Sequence, residues 1–360
     1  MSLPGCRAAV AALAGLALLT GCASSAGAGE SAIPSASGPA VASPSDASPS
    51  LAATPPSGGV EALGAAPTPS AKRSAAPKKA AAAGCPRDSG LAQIWASWPM
   101  PNPEGTALPN PASYTDLGDG TVRDEVTCLI WQRQPAAGGY TWSAARSYCA
   151  SLELAGGGWH LPSRVELTSL VDTTRSGPAI NTTAFPGTPV AFFWTSSPWT
   201  VSHSPAYSWI INFFEGLASN AADQAGEFRV RCVRSPGGSG EPAYDIAEGE
   251  VGDSHTGLSW QRASSPATMS AAAATDYCAD LDLGGHAWRL PSVQELATLV
   301  DETRVAPAIN LTAFPDTAKS TWYWSASTAA PDTTKRWGLN YDDGFTNYRS
   351  ISAGFARCVR

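Results

Sequence analysis

An α+β fold is predicted for this chain: two tandem modules, each of two helices plus antiparallel strands, placed after a disordered N-terminal tether. Three observations predict it. The first is a set of landmarks that recur in constant register. Leu129-Ile-Trp-Gln-Arg133 returns as Leu258-Ser-Trp-Gln-Arg262, and the same offset carries Cys149 to Cys278, Leu161-Pro-Ser163 to Leu290-Pro-Ser292, and Thr183-Ala-Phe-Pro186 to Thr312-Ala-Phe-Pro315. A period this long is no solenoid repeat, so each copy needs a core of its own. The second is a stretch before both copies made of Ala, Ser, Pro and Gly with almost no large apolar residue. The third is a pair of cysteines at equivalent places in each copy.

The N-terminal segment, 1–21, reads as an export signal. Arg7 precedes an apolar run, Ala8 to Leu19, that is too short to span a bilayer. Leu19-Thr20-Gly21-Cys22 looks like a bacterial lipobox, which implies cleavage before Cys22 and lipid on its thiol, with a membrane as the partner. Several acyl chains would anchor it stably. Ala23 and Ser24 follow without an acidic residue, which resembles lipoproteins sorted to an outer membrane. Residues 22–84 cannot bury enough surface to offset their ordering entropy and are expected to be a disordered linker. All 13 tryptophans lie between Trp95 and Trp337. The packed part is therefore placed at 85–236, a first domain with an N-terminal extension, and 241–360, a second.

Within each copy the elements follow in order. Asp119-Gly120 marks a turn before a strand that ends in Trp-Gln-Arg. Ser143 to Leu154 and Ser270 to Leu283 read as first helices, stopped by glycines. Leu-Pro-Ser then opens a second helix, with Ser163 and Ser292 as caps and Glu166 and Glu295 three residues on. That is a capping box, in which hydroxyl and carboxylate each accept a free backbone N–H. Leu167, Leu170 and Val171, matched by Leu296, Leu299 and Val300, supply the apolar stripe. A strand-rich tail follows, with hairpin turns at Glu215-Gly216 and Asp343-Gly344 and last strands from Phe228 to Arg234 and Phe355 to Arg360. Two helices before an antiparallel meander describe a compact α+β unit.

Eight cysteines become six once Cys6 leaves with the signal and Cys22 takes lipid. Six allow 15 pairings. Repeat symmetry favours Cys149–Cys232, Cys278–Cys358 and Cys85–Cys128, and export to an oxidising compartment makes bridges the expected state. Metal ligation is the rival reading, unsupported by any Cys-x-x-Cys or paired His spacing.

These landmarks together resemble a bacterial domain family long labelled as of unknown function, also called the C-terminal domain of the Legionella collagen-like protein. The marks are Gly118-Asp-Gly-Thr-Val122, Thr256-Gly-Leu-Ser-Trp-Gln261, Trp-x-Leu-Pro-Ser-x-x-Glu-Leu, Ala-Ile-Asn-x-Thr-Ala-Phe-Pro, and the terminal Arg-Cys-Val-Arg. They cover nearly all of 113–360, twice. The resemblance implies a C-type lectin-like fold, related to that of formylglycine-generating enzymes, and an adhesin-like role, which in one member is directed at sulfated polysaccharides. Copy 1 departs from the pattern with Cys128 where copy 2 has Gly257. No collagen tract is present.

Catalytic chemistry finds little footing. The four histidines do not coincide between copies, and no P-loop, G-x-S-x-G or H-E-x-x-H appears. The cysteine pair of formylglycine-generating relatives is not evident, and neither are the calcium-and-sugar signatures Glu-Pro-Asn and Trp-Asn-Asp. No catalytic residue and no metal ligand is expected; calcium at Asp342 and Asp343 has too few oxygen ligands in view. Charge argues against nucleic acid as a partner: residues 113–234 carry 8 Lys+Arg against 10 Asp+Glu, and 241–360 carry 9 against 15. The same balance argues against strongly sulfated polyanions. Trp199, Tyr207, Trp322 and Tyr341 are not matched by the same residue in the other copy, and with Asp342, Asp343 and Asn347 they form the candidate ligand-binding set, since rings stack on pyranose faces while amides and carboxylates fix hydroxyls. The expectation is a lipid-anchored, non-catalytic envelope protein binding a polysaccharide or an envelope protein. A structural or assembly role, or an enzyme using one diverged copy, are the alternatives.

Overall fold

In copy 1, β1 (Tyr114–Asp116), β2 (Thr121–Asp124) and β3 (Ile130–Gln132) pair antiparallel. Two helices follow, α1 (Trp142–Ala150) and α2 (Arg164–Thr168), and then the meander β4 (Phe192–Pro198), β5 (Ser208–Asn212) and β6 (Leu217–Ala221). Last, β7 (Val233–Arg234) returns beside β3, giving the order β1-β2-β3-β7. Copy 2 repeats the plan with β8 (Tyr244–Ile246), β9 (Glu250–Asp253), β10 (Leu258–Gln261), α3 (Ala271–Ala279), α4 (Val293–Thr298), and the meander β11 (Trp322–Ala329), β12 (Asp332–Asn340) and β13 (Phe345–Asn347). These are features of a computed structural model that describes residues 94–199, 207–221, 225–235, 240–349 and 351–360. The signal segment, Cys22, the linker and Cys85 lie outside the described residues. Among the described residues no helix is long and apolar enough to cross a membrane.

Both capping boxes are formed. Glu166 N–H donates to Ser163 Oγ at 3.3 Å and Ser163 N–H to Glu166 Oε2 at 2.7 Å. Ser292 and Glu295 do the same at 3.0 and 2.8 Å. The first helices are shorter than their sequence suggests, ending at Ala150 and Ala279. A tryptophan indole beyond each helix accounts for the difference: Trp159 Nε1 donates to Leu154 O at 2.7 Å and Trp288 Nε1 to Leu283 O at 2.9 Å. Those carbonyls are held in the turn instead of continuing the helical ladder.

The stripes of α2 and α4 enter equivalent cores. Leu167, Leu170 and Val171 pack with Val122, Trp131, Phe193 and Phe213, while Leu296, Leu299 and Val300 pack with Val251, Trp260, Tyr323 and Tyr341. A second cluster in each copy surrounds a disulfide. Cys149–Cys232 sits among Trp159 and Trp194, and Cys278–Cys358 among Trp288 and Trp324, with Cα–Cα distances of 5.5 and 5.4 Å. Cys128 is also disulfide-bonded. The last strands are mostly replaced by isolated bridges. Phe228, Arg229 and Val233 pair with Tyr140, Phe193 and His160 in turn, so the segment threads between three neighbours and forms a ladder only at β7.

The copies are packed against each other within one compact unit. Arg164, 3% exposed at the start of α2, reaches into copy 2: its Nε donates to Glu302 Oε1 at 2.8 Å and its Nη1 to Gly344 O at 2.8 Å. The same guanidinium lies 4.6 Å over the Trp209 ring. In the reverse direction, Gln294 Nε2 donates to Val171 O at 2.9 Å and Ala330 N–H to Thr173 O at 3.0 Å. Between the hairpins, Ala218 N–H donates to Thr346 Oγ1 at 2.9 Å and Arg349 pairs with Glu215. Phe345 rests on Trp209, and Leu217 on the cluster of Val293, Trp337 and Tyr348. These exchanges bring equivalent elements together, α2 with α4 and β6 with β13, but the residues differ. A buried ion pair (Arg164 and Glu302) has only Val293 and Thr173 as its repeat counterparts.

Candidate functional site

Most residues singled out from the sequence turn out to serve the hairpins and the seam. Tyr341 is a correction. It is fully buried, and its hydroxyl donates to Leu296 O at 3.1 Å. Burial pushes its phenol far above the ordinary tyrosine range. Its counterpart is Phe213, also fully buried, at an offset of 128 where the earlier landmarks stand 129 apart. Asp343 Oδ1 accepts the Phe345 N–H at 3.0 Å and its Oδ2 accepts Trp199 Nε1 at 3.3 Å, joining the copies. Trp199 packs 5.4 Å from Tyr207, and both are half-buried at the base of 200–206, which lies outside the described residues. Asp342 Oδ1 accepts from Ser320 N–H at 2.9 Å, and Asn347 Oδ1 accepts from the N–H groups of Tyr348 and Arg349. Trp322 is half-buried on β11, at the position of Phe192 in copy 1. Trp199, Tyr207 and Asp343 are therefore brought together, whereas Trp322, Asp342 and Asn347 are not part of that group. Among the described residues no cluster of His, Cys, Asp and Glu has a metal-binding arrangement.

One polar cluster has the residue types of a hydrolase. His160 Nε2 lies 3.2 Å from Glu166 Oε1 and 3.2 Å from Ser235 Oγ, and the Ser235 hydroxyl donates to the same carboxylate. The serine and the ring nitrogen both converge on Glu166, which also accepts the Ser163 N–H of the capping box. In copy 2 the place of His160 is taken by Arg289, whose Nη1 and Nη2 each reach Glu295 at 2.7 Å. A nitrogen-bearing side chain that reaches the capping carboxylate is thus the shared feature of the two copies.

A concave site lies elsewhere, where the N-terminal extension meets copy 1. Trp98 and Met100 anchor the extension in the copy 1 core. Its next residues, Pro101 to Gly105 and Ala112, form one wall of a cavity of about 200 Å³. The opposite wall is Tyr114 on β1 and the stretch after α2, with Asp172, Thr174, Arg175 and Asn181. The Asp172 carboxylate accepts the Thr174 N–H at 3.0 Å and Arg175 Nε at 2.9 Å, so it aims the guanidinium. Asn181 Oδ1 accepts the N–H groups of Thr183 and Ala184, each at 3.0 Å. That fixes the amide plane and leaves its NH2 without a donor role among the described residues. Tyr114 stacks edge-on against Phe185 at 5.1 Å, and burial, then the nearby Asp124 and Asp172 carboxylates, raise its phenol well above the ordinary range. Neutral at any physiological pH, it can both donate and accept. Glu104 stands exposed on the rim.

Copy 2 repeats one of these walls: Tyr244, Asp301, Thr303, Arg304 and Asn310, with Arg304 Nε 2.7 Å from Asp301. It has no counterpart of the other wall. Only nine residues separate β7 from β8, and Asn310 Nδ2 meets Glu241 at 3.5 Å instead. Sequence comparison between the copies missed the cavity because half of it is built from residues that occur once. The signal available was the run Trp95 to Met100, an apolar segment before the repeat begins.

The model of the Lcl C-terminal domain matches residues 120–234 and again 249–360. No curated protein matches the chain. The chain belongs to the Lcl C-terminal domain family, in two tandem copies.

Proposed function

We propose that this tandem Lcl C-terminal domain protein is a lipid-anchored binding protein of the bacterial cell envelope, an outer-membrane lipoprotein whose C-type lectin-like modules recognise a glycan or protein ligand without catalysis. The observation that carries the reading is the walled cavity in copy 1. It offers fixed donors from Arg175 and Asn181, a neutral hydroxyl from Tyr114 and an acceptor from Glu104, around a space of ligand size. Recognition sites are concave, with a few convergent polar groups that fix orientation. The lipobox at Cys22 and the polar linker support display of the pair at a distance from the membrane. The packing of the two copies into one unit makes them a rigid platform, and their orientation to each other is fixed by Arg164 and the facing hairpins.

A protein partner is the second reading, favoured by a specific asymmetry. Val190, Phe192 and Phe214 are 50, 40 and 47% exposed on copy 1, where copy 2 carries Ser320, Trp322 and Asp342. Phe192 opens β4, Val190 precedes it and Phe214 follows β5, and exposed apolar side chains gathered in this way mark contact surfaces. A glycan array probed with the purified full-length protein, run beside a pull-down from envelope extract, tests both. Binding on the array supports the lectin reading, capture that survives glycan competition supports the second, and blanks in both discard the proposal.

A further inference from the structure

We propose that the cavity between the extension and copy 1 binds a single neutral sugar ring, and that the chain binds one such ring, not two. The inference rests on the binding reading above and names its site, its ligand class and its stoichiometry. Charge argues for a neutral ligand. The Arg175 guanidinium is already balanced by Asp172 at 2.9 Å, and Glu104 leaves the lining net negative, so a sulfate or carboxylate would be repelled. The hydrogen-bonding groups argue for a polyol. Sugar hydroxyls donate and accept, and the lining supplies both: the Arg175 Nη atoms and Asn181 NH2 donate, Glu104 accepts, and the Tyr114 hydroxyl does either. None of these groups has another partner among the described residues. Pro101, Leu170 and Val171 add an apolar surface for the C–H face of a ring. A volume of about 200 Å³ admits one ring and no extended chain, so a longer glycan would enter by its terminal unit.

The stoichiometry follows from the extension. Tyr114, Thr174, Arg175 and Asn181 recur in copy 2 as Tyr244, Thr303, Arg304 and Asn310, so residue identity alone argues for two sites. The wall made by residues 101–112 occurs once, and in copy 2 no such wall faces Arg304 while the Asn310 amide already donates to Glu241, so a sugar there would find one side of the site and one donor fewer. The tandem pair thus gives one-to-one binding, with copy 2 as a support.

The test uses the full-length protein with glucose, galactose, mannose and N-acetylglucosamine and their β-linked disaccharides, followed by calorimetry and saturation-transfer NMR. Glu104→Gln and Asn181→Asp keep shape, and Asn181→Asp keeps the Oδ1 acceptor that holds its own turn, so neither threatens folding. Asn181→Asp loses the NH2 donor and is expected to weaken the best-bound sugar about tenfold, the loss of one hydrogen bond, and Glu104→Gln, which keeps an acceptor oxygen but loses its charge, is expected to weaken it by about threefold. Ala112→Phe, which fills the cavity from the extension side, is expected to abolish binding, and Asn310→Asp to leave it unchanged at one sugar per chain. If the wild type binds sugars while all three copy 1 variants bind equally well, or if two sugars bind per chain, the site assignment is overturned and the lectin reading stands. If sulfated disaccharides bind and neutral ones do not, the ligand class is overturned. If no sugar binds the wild type, both this inference and the glycan reading fall.

Discussion

Replacing Arg164 by alanine removes the main polar contact between the copies, and its cost can be worked from the geometry. The Arg164 and Glu302 side chains are 4 and 5% exposed and meet at 2.8 Å. Both charges are out of water, so removing either takes from the other the opposite charge it meets in the buried seam, which costs about 3–5 kcal/mol. Gly344 O loses its donor and Trp209 its stacked guanidinium in the same step. Glu302→Ala is expected to cost a similar amount by stranding the guanidinium. The double variant strands neither, so its loss should fall short of the sum by about 2 kcal/mol or more. Urea denaturation followed by tryptophan fluorescence measures all four corners of the cycle. Single losses below about 1 kcal/mol that simply add would refute the reasoning, since they would mean the pair is solvated and the copies are not held by it.

Two further outcomes are expected. The buried Asp124 carboxyl is raised to about 6 by desolvation, against opposing hydrogen bonds from the Val126 and Thr127 N–H groups. Its folded value exceeds its unfolded one, so the folded state holds the proton more tightly, and the stability this contributes is complete below pH 4 and lost as pH rises through about 6. A carboxyl ¹³C titration should place Asp124 near 6, and a value near 4 would contradict the account. Gly216→Ala should cost about 2 kcal/mol or more, because φ is +95° and a Cβ would lie 2.4 Å from Val171 Cγ1; Gly105→Ala, at φ +82° with open space around it, should cost about 1 kcal/mol. Thermal denaturation of the two variants reads the difference, and equal costs would show that the close approach at Gly216 is not real.

What the sequence made legible was whatever local chemistry dictates twice. Ser163 and Glu166, Ser292 and Glu295, and the bridges Cys149–Cys232 and Cys278–Cys358 stand where the repeat put them, because caps and cross-links follow from spacing and equivalence. The seam was not legible for the opposite reason. Arg164 faces Glu302 across the copies, yet within the repeat they align with Val293 and Thr173, so no comparison of copies pairs them. Tyr341 was misplaced on the surface because its counterpart is a phenylalanine, Phe213, and a comparison of identical residues passes over the pair. Asp343, read as a loop carboxylate, bonds Trp199 of the other copy, a contact only the packed pair reveals. The cavity depended on a third kind of information, the path of a unique segment against a duplicated wall.

The central claim is that the duplicated domains form one body, with the site built by the extension at one end. Differential scanning calorimetry of the full-length protein, with its disulfides intact, tests it most directly. One body predicts a single transition whose calorimetric and van't Hoff enthalpies agree, near 190 kcal/mol at about 0.7 kcal/mol per residue over 94–360. Two resolved transitions, or one with a van't Hoff enthalpy near half the calorimetric value, would show copies that unfold independently and would contradict it.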